Sequence, residues 1–420
     1  MKVFKFGGAS VNSIERIENV KNIIKLYEGE ELMIIISAMG KTTNALEKVV
    51  EAFFAGNKQD ALHLFEVIKN QHISTAKYLL VTHFNSCLAQ LNDFFTEVEW
   101  LLHDKPVRGF DYYYDQVVCA GELISTCIVS HYLEEMKVEN LWIDVRDILR
   151  TDDNFRDANV NWNYAAQKTE QVIKPAFAGN KIILTQGFIG CTDENESTTL
   201  GREGSDFSAA IFANLLDAES LTIWKDVEGV MSADPKQFPD AQFIEELSFD
   251  EVIEMAYYGA QVIHPKTIKP LENKGIPLKV KCFLDPSLPG TTITKKKAKH
   301  LPPMVIIKQD QVLIHLHSQD FSFVGEEPIS RLYEIFAQIK MRPNLIQTGA
   351  ISVQICMDNR SEKIDQLAAE AGSIFDVQVE KGLSLLTIRH FTPEFLHSMT
   401  DGKDIVLKQQ TKEMVQVLHK

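Results

Sequence analysis

The 420-residue chain lacks paired cysteines, an excess of basic residues and an apolar run of membrane-spanning length. Its six cysteines are scattered and form no CxxC pair, so we expect buried, reduced thiols and no metal site. The formal net charge of −15 argues against nucleic acid as a partner, because phosphate backbones need a basic surface. Without an apolar run of ~20 residues, we expect no membrane partner either.

A signal-peptide pattern is also absent, because strand-like residues begin at Met1. We therefore expect a cytoplasmic protein. Hydrophobic residues make up 45% of the chain, which is typical of globular proteins, and 420 residues are too many for one ordinary core. The composition thus predicts two or three domains.

Two glycine-rich segments carry the chemistry of the chain. KFGGAS (5–10) follows a predicted strand, and TTLGREGSD (198–206) leads into a predicted helix. Glycines let backbone N–H groups approach an anion, and a helix N-terminus favours negative charge there. Lys5 can neutralise a phosphate, Arg202 can bind a carboxylate bidentately, and Asp206 can organise the lysine or a metal. Together these residues indicate phosphoryl transfer to an acidic substrate.

The first 285 residues have the pattern of a parallel α/β sheet, because short apolar runs are followed by glycine and then by helical spacing. The predicted strands are Val3–Phe6, Leu32–Ser37, Leu141–Ile143, Lys181–Thr185, Leu221–Trp224 and, as the last strand of this domain, Ile276–Phe283. The predicted helical segments are 45–103, Asp115–Leu133, Ser208–Leu216 and Ser248–Tyr258.

A segment rich in proline and lysine, 286–304, is predicted to be a linker. After it, residues 312–380 repeat the order strand, helix, strand, strand, helix, strand, which predicts a ferredoxin-like module. Residues 382–420, together with a strand at 305–308, predict a second and partial module.

Four segments in order resemble the aspartate kinase branch of the amino-acid kinase family. They are KFGGAS (5–10), TTLGREGSD (198–206), IWKDVEGVMSADP (223–235) and GAQVIHPKTI (259–268). The tail resembles the ACT-type regulatory region of the same enzymes. The resemblance implies an α/β catalytic domain (1–285), with a mainly parallel sheet sandwiched by helices, and ferredoxin-like α+β ACT modules in 305–420.

The resemblance also implies roles for single residues. Lys5 and Asp206 are expected to be catalytic, with Lys5 stabilising the transferring phosphate and Asp206 holding Lys5 in place. Arg202 is expected to bind the α-carboxylate of an amino-acid substrate, and Glu122 its α-ammonium. The other implied substrate-binding residues are Ser37, Thr43, Phe188 and Ser205.

ATP with Mg²⁺ is the implied cofactor, and its binding residues come from the first glycine-rich segment and from residues 225–261. They are Lys5, Gly7, Gly8, Ser10, Lys225, Asp226, Met231, Lys236 and Gln261. Four of them depart from the family's pattern, because relatives commonly have threonine at Lys225, tyrosine at Met231, arginine at Lys236 and lysine at Gln261. Lys236 can still meet a phosphate, but not bidentately.

An amino-acid effector is expected to bind the tail near Ser318, Asp320, Asn344 and Gln347. Asn344 and Ala350 stand where lysine-inhibited relatives often have aspartate and glutamate. We therefore expect weak lysine inhibition, or inhibition by threonine or by a combination of amino acids. A homodimer or higher oligomer built partly through the tail is expected, since one module leaves a sheet edge to cover.

The implied reaction converts ATP and L-aspartate to 4-phospho-L-aspartate and ADP, the first step towards lysine, threonine and methionine. The chain carries no dehydrogenase extension, so a monofunctional enzyme is predicted. Two alternatives stay open: another amino-acid kinase, of the acetylglutamate or glutamate type, or a catalytically idle amino-acid sensor. A third, a Walker A loop at Gly40-Lys41-Thr42, lacks its first glycine, because Ile35 stands at that position.

Overall fold

The computed structural model describes residues 1–260, 262–298 and 300–420, so Gln261 and Lys299 lie outside the described residues. The chain divides into two compact units, and each is described by itself. Unit 1 holds Met1–Val230, Phe243–Ala256 and the described part of 261–298. Unit 2 holds Met231–Gln242, Tyr257–Ala260 and the described part of 299–420.

Unit 1 is built on an eight-stranded sheet, which has the order β10-β12-β11-β7-β1-β2-β4-β3. Neighbouring strands are parallel except for the antiparallel pair β11 and β12. The first twelve strands of the chain are β1 (Lys2–Phe6), β2 (Leu32–Ile36), β3 (Leu141–Ile143), β4 (Ile182–Gln186), β5 (Ile189–Cys191), β6 (Ser197–Thr199), β7 (Leu221–Lys225), β8 (Val230–Met231), β9 (Phe243–Ile244), β10 (Glu246–Ser248), β11 (Leu278–Cys282) and β12 (Thr291–Thr294).

Helices follow several of these strands. The first ten helices are α1 (Ile14–Lys25), α2 (Thr42–Phe54), α3 (Lys58–Leu79), α4 (Phe84–His103), α5 (Phe110–Glu135), α6 (Trp162–Lys168), α7 (Lys174–Ala176), α8 (Gly204–Leu215), α9 (Phe249–Tyr257) and α10 (Pro265–Lys274). Of these, α1 comes after β1, α2 after β2, α8 after β6 and α9 after β10. The single helical segment predicted over 45–103 is thus three helices. One break contains Gly56, whose positive φ of 83° ends the first of them.

The core of unit 1 is apolar on both sides of the sheet. Every residue of β2 is buried, which is typical of a central parallel strand. Helix α5 is buried without interruption from 117 to 130, and a helix that is apolar on all sides belongs in a core.

Helix α5 also corrects the expectation that no segment has membrane-spanning length. It is long and apolar enough by length and composition, but 89% of its apolar window is buried inside the protein. The core helix of a globular protein meets the same criterion, so this finding is weak support for a membrane span.

Two further predictions for unit 1 need correction. Ile276–Phe283 is not the last strand, because β12 follows it and pairs antiparallel with β11. Strand β12 lies inside the segment predicted to be a linker. Helix α8 begins at Gly204 instead of Ser208, so Asp206 lies in its first turn.

Unit 2 contains a six-stranded sheet with the order β14-β15-β13-β16-β18-β17, antiparallel throughout. Its strands are β13 (Met304–Ser318), β14 (Leu345–Thr348), β15 (Ser352–Asp358), β16 (Phe375–Arg389), β17 (Ile405–Gln410) and β18 (Met414–His419). Its helices are α11 (Glu326–Gln338), α12 (Ser361–Ala371) and α13 (Pro393–Thr400).

The predicted strand pairs of the tail are single long strands. The segments predicted at 305–308 and 312–317 are both parts of β13, and β16 likewise joins two predicted strands. The register of β13 against β16 shifts between Lys308 and Gln311, where Asp310 has a φ of 52°. A bulge therefore bends one strand where the sequence suggested a loop.

Candidate active site

The carboxyl ends of four neighbouring parallel strands form one edge of the unit 1 sheet. Lys5 lies near the end of β1, and Lys225 ends β7. Ser37 directly follows β2, and Phe188 follows β4. Because β7, β1, β2 and β4 are adjacent, the topology brings these four residues to one edge. Ligands of open α/β sheets bind at this edge.

A buried ion pair joins the two glycine-rich segments. Lys5 Nζ lies 2.7 Å from Asp206 Oδ1, and the two side chains are 12% and 5% exposed. Burial raises the pKa of Asp206, but the charges of Lys5 and Lys225 outweigh it and hold that pKa below its usual value. Asp206 also lies in the first turn of α8, where the helix favours a negative charge. The structure thus brings together the two predicted catalytic residues in charged form.

The first glycine loop packs directly on the loop after β2. The Gly40 N–H donates to the Gly8 carbonyl at 2.9 Å. A Cβ at Gly8 would lie 2.6 Å from the Ala38 carbonyl oxygen, so only glycine fits there. Ser125 of α5 donates to the Ser37 carbonyl at 2.8 Å and so anchors the loop after β2 to this helix. The loop with the predicted phosphate-binding residues is therefore in direct contact with the loop that carries the predicted substrate-binding residue Ser37.

The predicted phosphate-loop residues Gly7, Gly8 and Ser10 lie in one tight turn. Gly7 precedes a 3₁₀ helix over Gly8–Val11, and the Ser10 N–H donates to the Gly7 carbonyl at 2.9 Å. Thr43 lies in the first turn of α2, half-buried, beyond the neighbouring loop.

Glu122 is a buried carboxylate whose charge has little local compensation. It is 3% exposed, and its Oε2 has no hydrogen-bond partner among the described residues. Burial raises its pKa to about 8, although a hydrogen bond from the Ala38 backbone and the charge of Lys5 act in the opposite direction. A Cβ at Gly121 would lie 3.2 Å from Ala38 Cβ, so α5 packs close to the loop after β2. The site therefore offers an acceptor that suits a cationic ligand group.

The second glycine loop is held by hydrogen bonds, and strained backbone positions lie in it and beside it. Phe188 and Glu203 have positive φ angles of 67° and 55°, which are uncommon outside glycine and concentrate at functional sites. The Phe188 N–H donates to Ser208 Oγ at 3.0 Å, and its carbonyl accepts from the Leu200 N–H at 2.8 Å. These bonds fix the loop against the start of α8.

Arg202 and Ser205, both predicted to bind substrate, lie on either side of this turn. Ser205 is buried in the first turn of α8, whereas the Arg202 side chain is exposed. Within the described parts of the chain, Arg202 pairs with no carboxylate. Its guanidinium is therefore available to an external carboxylate.

The predicted nucleotide residues of unit 1 have protein partners. Lys225 Nζ donates to the Val262 carbonyl at 2.6 Å. The Asp226 carboxylate accepts from Arg16 at 2.7 and 2.8 Å, and Arg16 also donates to the Ala9 carbonyl at 2.9 Å. Asp226 thus braces the first glycine loop through Arg16, a residue that the sequence motifs did not indicate.

Three other predicted nucleotide residues do not belong to the described part of unit 1. Met231 and Lys236 belong to unit 2, where the Lys236 N–H donates to Asp234 at 3.0 Å. Gln261 lies outside the described residues. Their nucleotide contacts stay predictions.

Asp115 is a positioning residue that sequence reasoning missed. It is fully buried on α5 and accepts from the Thr199 N–H and hydroxyl, at 2.8 and 2.7 Å, and from the Arg156 N–H at 3.0 Å. Burial raises its pKa to about 6. These hydrogen bonds attach the end of β6 to α5, directly before the second glycine loop. The available signal was its spacing of seven residues from Glu122, which places both acids on one helix face.

The predicted effector residues lie in different parts of unit 2. Ser318 donates to Asp320 at 2.9 Å, and hydrogen bonds from Ser322 and Ser318 lower the pKa of Asp320 to about 2. Asn344 precedes Leu345, which is level with Leu313 through Cys356, so Asn344 lies about six residues, or ~20 Å, from Ser318 along β13.

Asn344 and Gln347 have different surroundings. Asn344 donates to Gln311 and Asp358 at 2.7 and 2.8 Å and accepts from Lys308 at 2.7 Å. It also lines a pocket of about 910 Å³ within unit 2. Gln347 is exposed on β14 opposite Gln354. Asn344 and Ser318 are therefore too far apart to contact one small ligand within a single chain, and the effector roles of the four residues stay predictions.

The fold and this edge of the sheet define a phosphoryl-transfer type of α/β protein, and comparison with known proteins agrees. Residues 1–282 match the model of the amino acid kinase family. The chain belongs to this family. Its predicted α/β class, with a mainly parallel sheet and an α+β tail, is confirmed.

Individual relatives are more specific. The chain is 29% identical to the lysine-sensitive aspartokinase 3 of Escherichia coli (strain K12), over 92% of this chain and 86% of that protein. It is 35% identical to a bifunctional aspartokinase/homoserine dehydrogenase 1 of Zea mays, over 70% of this chain but only 32% of that protein. Among solved structures, E. coli aspartokinase III in complex with aspartate and ADP superimposes with a TM-score of 0.84 at 26% identity, covering 100% of this chain and 96% of that one.

Proposed function

We propose that this chain is an aspartate kinase, which transfers the γ-phosphoryl group of ATP to the side-chain carboxylate of L-aspartate. The observation that carries the proposal is the buried Lys5–Asp206 ion pair, together with the buried carboxylate of Glu122, whose Oε2 has no hydrogen-bond partner among the described residues. The similarity to an aspartokinase solved with aspartate and ADP supports the same reaction.

The reaction does not require a protein side chain to remove a proton from the nucleophile. The nucleophile, a side-chain carboxylate with an ordinary pKa near ~4, is already ionised at neutral pH. Catalysis therefore depends on positioning and on charge. Lys5 stabilises the negative charge on the transferring phosphoryl oxygens, and Asp206 holds the Lys5 ammonium at 2.7 Å.

Substrate selection rests on the two ends of an α-amino acid. Arg202 binds the α-carboxylate as a fork, and Glu122 accepts from the α-ammonium. An N-acetylated amino acid has no ammonium for Glu122, which separates this proposal from an acetylglutamate kinase. An idle sensor would not need Lys5 and Asp206 to be paired and buried.

ATP and Mg²⁺ fit the phosphate end of this edge. The Gly7–Gly8 turn carries no side chains, so its backbone N–H groups can approach the phosphates closely. The ionised Asp206 carboxylate is an oxygen ligand of the kind that Mg²⁺ prefers. When bound, Mg²⁺ would neutralise charge on the phosphates.

Further elements of the proposal concern the setting of the enzyme. We infer a cytoplasmic protein whose product enters the biosynthesis of lysine, threonine and methionine. Unit 2 is inferred to bind a regulatory amino acid, with weak inhibition by lysine alone. A homodimer through unit 2 would cover a sheet edge, since β14 and β17 are the outer strands of its sheet.

The test is ADP release by the purified chain with L-aspartate, L-glutamate or N-acetyl-L-glutamate as the acceptor. We expect turnover with aspartate, and formation of an acyl phosphate that hydroxylamine traps as the hydroxamate. Turnover only with an N-acetylated acceptor would replace this proposal with an acetylglutamate kinase. Binding of amino acids without any ADP release would favour a sensor. Light scattering at micromolar concentration tests the dimer, and a monomer would contradict it.

A further inference from the structure

A second group of chemically active side chains lies further along α5 than Glu122. Cys127 and His131, near the end of α5, meet Cys87 of α4, and one donor atom from each of the three lies within 4.8 Å of the others. The two sulfur atoms are 4.0 Å apart. His83 and Glu134 form a second triad with the same His131.

The cluster is built from two helical repeats. His83 and Cys87 are four residues apart at the start of α4, and Cys127 and His131 are four residues apart near the end of α5. Residues at this spacing lie on one helix face, so each helix presents a histidine and a cysteine together. The scattered cysteine spacing gave no sign of this, because the pairs come from helices some forty residues apart.

His131 has the hydrogen bonding of a metal ligand. Its Nε2 lies 3.2 Å from the Gln90 side-chain oxygen, whereas its Nδ1 is buried and has no hydrogen-bond partner among the residues that the structure describes. The nearest carboxylate oxygen to Nδ1, from Glu134, is 3.6 Å away. Metal-binding histidines typically donate their other ring N–H to an oxygen, which orients the ring.

The start of α4 is also fixed against the end of α5. The Glu135 carboxylate accepts hydrogen bonds from three consecutive backbone N–H groups, those of Val81, Thr82 and His83. Neighbouring Glu134 lies 3.3 Å from His83 Nδ1. The donor atoms are therefore held in place by contacts outside the cluster.

We propose that Cys87, Cys127 and His131 bind a zinc ion, with a fourth position on the solvent side beside His83 and Glu134. In a tetrahedral zinc site with Zn–S bonds of ~2.3 Å, the sulfur atoms are ~3.8 Å apart. That value is close to the 4.0 Å between Cys87 and Cys127. Two thiolates and a neutral imidazole give a complex with no net charge, which suits a buried position. Thiolate ligands also exclude Mg²⁺, which prefers oxygen.

Cobalt(II) substitution tests the site directly. The full chain is reduced, stripped of metal and titrated with Co²⁺, without a metal-chelating tag. We expect one Co²⁺ per chain, a thiolate-to-cobalt charge-transfer band, d–d bands of tetrahedral intensity, and displacement by Zn²⁺. Cys127→Ser should weaken binding by at least about a hundredfold, because even a changed outer partner costs about 10- to 100-fold.

Three variants make the result specific. Cys119→Ser alters another buried cysteine of α5 outside the cluster and should leave the cobalt spectrum unchanged. Gln90→Leu alters only the outer partner of His131 and should weaken binding about tenfold while the charge-transfer band persists. It serves as the decisive variant if far-UV circular dichroism finds Cys127→Ser unfolded. His83→Ala reports whether the fourth ligand is His83.

Several outcomes would overturn the proposal. Absence of a charge-transfer band in the native chain would do so, as would an undiminished band in folded Cys127→Ser. If Gln90→Leu binds cobalt as tightly as the native chain, the assigned role of His131 is wrong. Loss of two thiols in air, with no metal uptake after reduction, would identify a redox pair instead.

Discussion

Asp206 and Glu122 are both buried carboxylates near the same Lys5, yet their pKa values move in opposite directions. Asp206, in the first turn of α8, pairs with Lys5 at 2.7 Å and has a lowered pKa. Glu122, in the middle of α5, has an unpartnered oxygen and a pKa of about 8. Burial acts alike on both, so the difference lies in the positive charge that the protein itself supplies.

The two carboxylates therefore have different roles at one sheet edge. The α8 region holds its own counter-charge and is ready for a phosphate group before any ligand arrives. The α5 region lacks that charge, so a ligand must bring it. A substrate ammonium would do for Glu122 what Lys5 does for Asp206.

The largest effect is expected when the supplied charge is removed. Lys5→Ala should lower kcat by about two orders of magnitude or more, because a preorganised electrostatic group is lost. It should also raise the pKa of Asp206 towards the condition of Glu122. Steady-state ADP release measures the first effect, with KM for aspartate expected to change less.

Lys2→Ala is the matched control, since Lys2 lies on the same strand and pairs with Glu30, away from the glycine loop. Its turnover should equal that of the native chain. Near-normal kcat in folded Lys5→Ala would refute the catalytic role of the ion pair.

A smaller loss is expected at Arg202. Arg202→Ala should raise KM for aspartate by roughly 10- to 100-fold, the scale of hydrogen bonds between charged groups. KM for ATP should change little, because the guanidinium is assigned to the amino acid. An equal rise in both KM values would move Arg202 to the nucleotide.

Glu122→Gln should raise KM for aspartate about tenfold, since the amide oxygen still accepts a hydrogen bond but the negative charge is gone. Lys5 and Asp206 stay paired in this variant, so kcat should be largely retained. An unchanged KM would mean that the ammonium binds elsewhere.

The pH dependence sharpens the same contrast. Glu122 is mostly protonated below its pKa of about 8, whereas binding of an ammonium needs the ionised form. Aspartate binding must therefore release a proton at neutral pH. We expect kcat/KM for aspartate to rise roughly tenfold per pH unit from 6 to 7 and to level off near 8. Glu122→Gln should flatten this profile, and a native profile that is flat from 6 to 8 would contradict the raised pKa.

The smallest effect is expected in unit 2. The Asn344 side chain is engaged by Lys308, Gln311 and Asp358, and it carries no charge for a lysine ammonium. Lysine alone should therefore inhibit only weakly at millimolar concentration, whereas strong inhibition at about micromolar concentration would refute this. Initial rates with lysine, threonine and both together provide the measurement.

Local sequence patterns were sufficient for much of unit 1. Strand β3 has the predicted bounds, and β1 differs by one residue, because short apolar runs bounded by polar residues have few alternatives. Lys5, Arg202 and Asp206 could be predicted as site residues because glycine-rich turns before helices are typical of anion-binding sites.

The tail was harder to predict from local patterns. β13 and β16 each run through a bulge, and whether a polar residue such as Asp310 bends a strand or ends it depends on the pairing strand. Strand β12 was missed because it follows a proline-containing turn after β11, and its parallel partner β10 is distant in the sequence.

By itself, the sequence determined which residue types stand at strand ends and helix starts, and hence the phosphate-binding chemistry of the glycine loops. Only the tertiary structure decided which charges meet. It brought Lys5 to Asp206, left Glu122 Oε2 without a hydrogen-bond partner among the described residues, and placed Cys87 beside Cys127. The physical reason is that backbone preferences act over a few residues, whereas burial and charge pairing depend on atoms far apart in the chain.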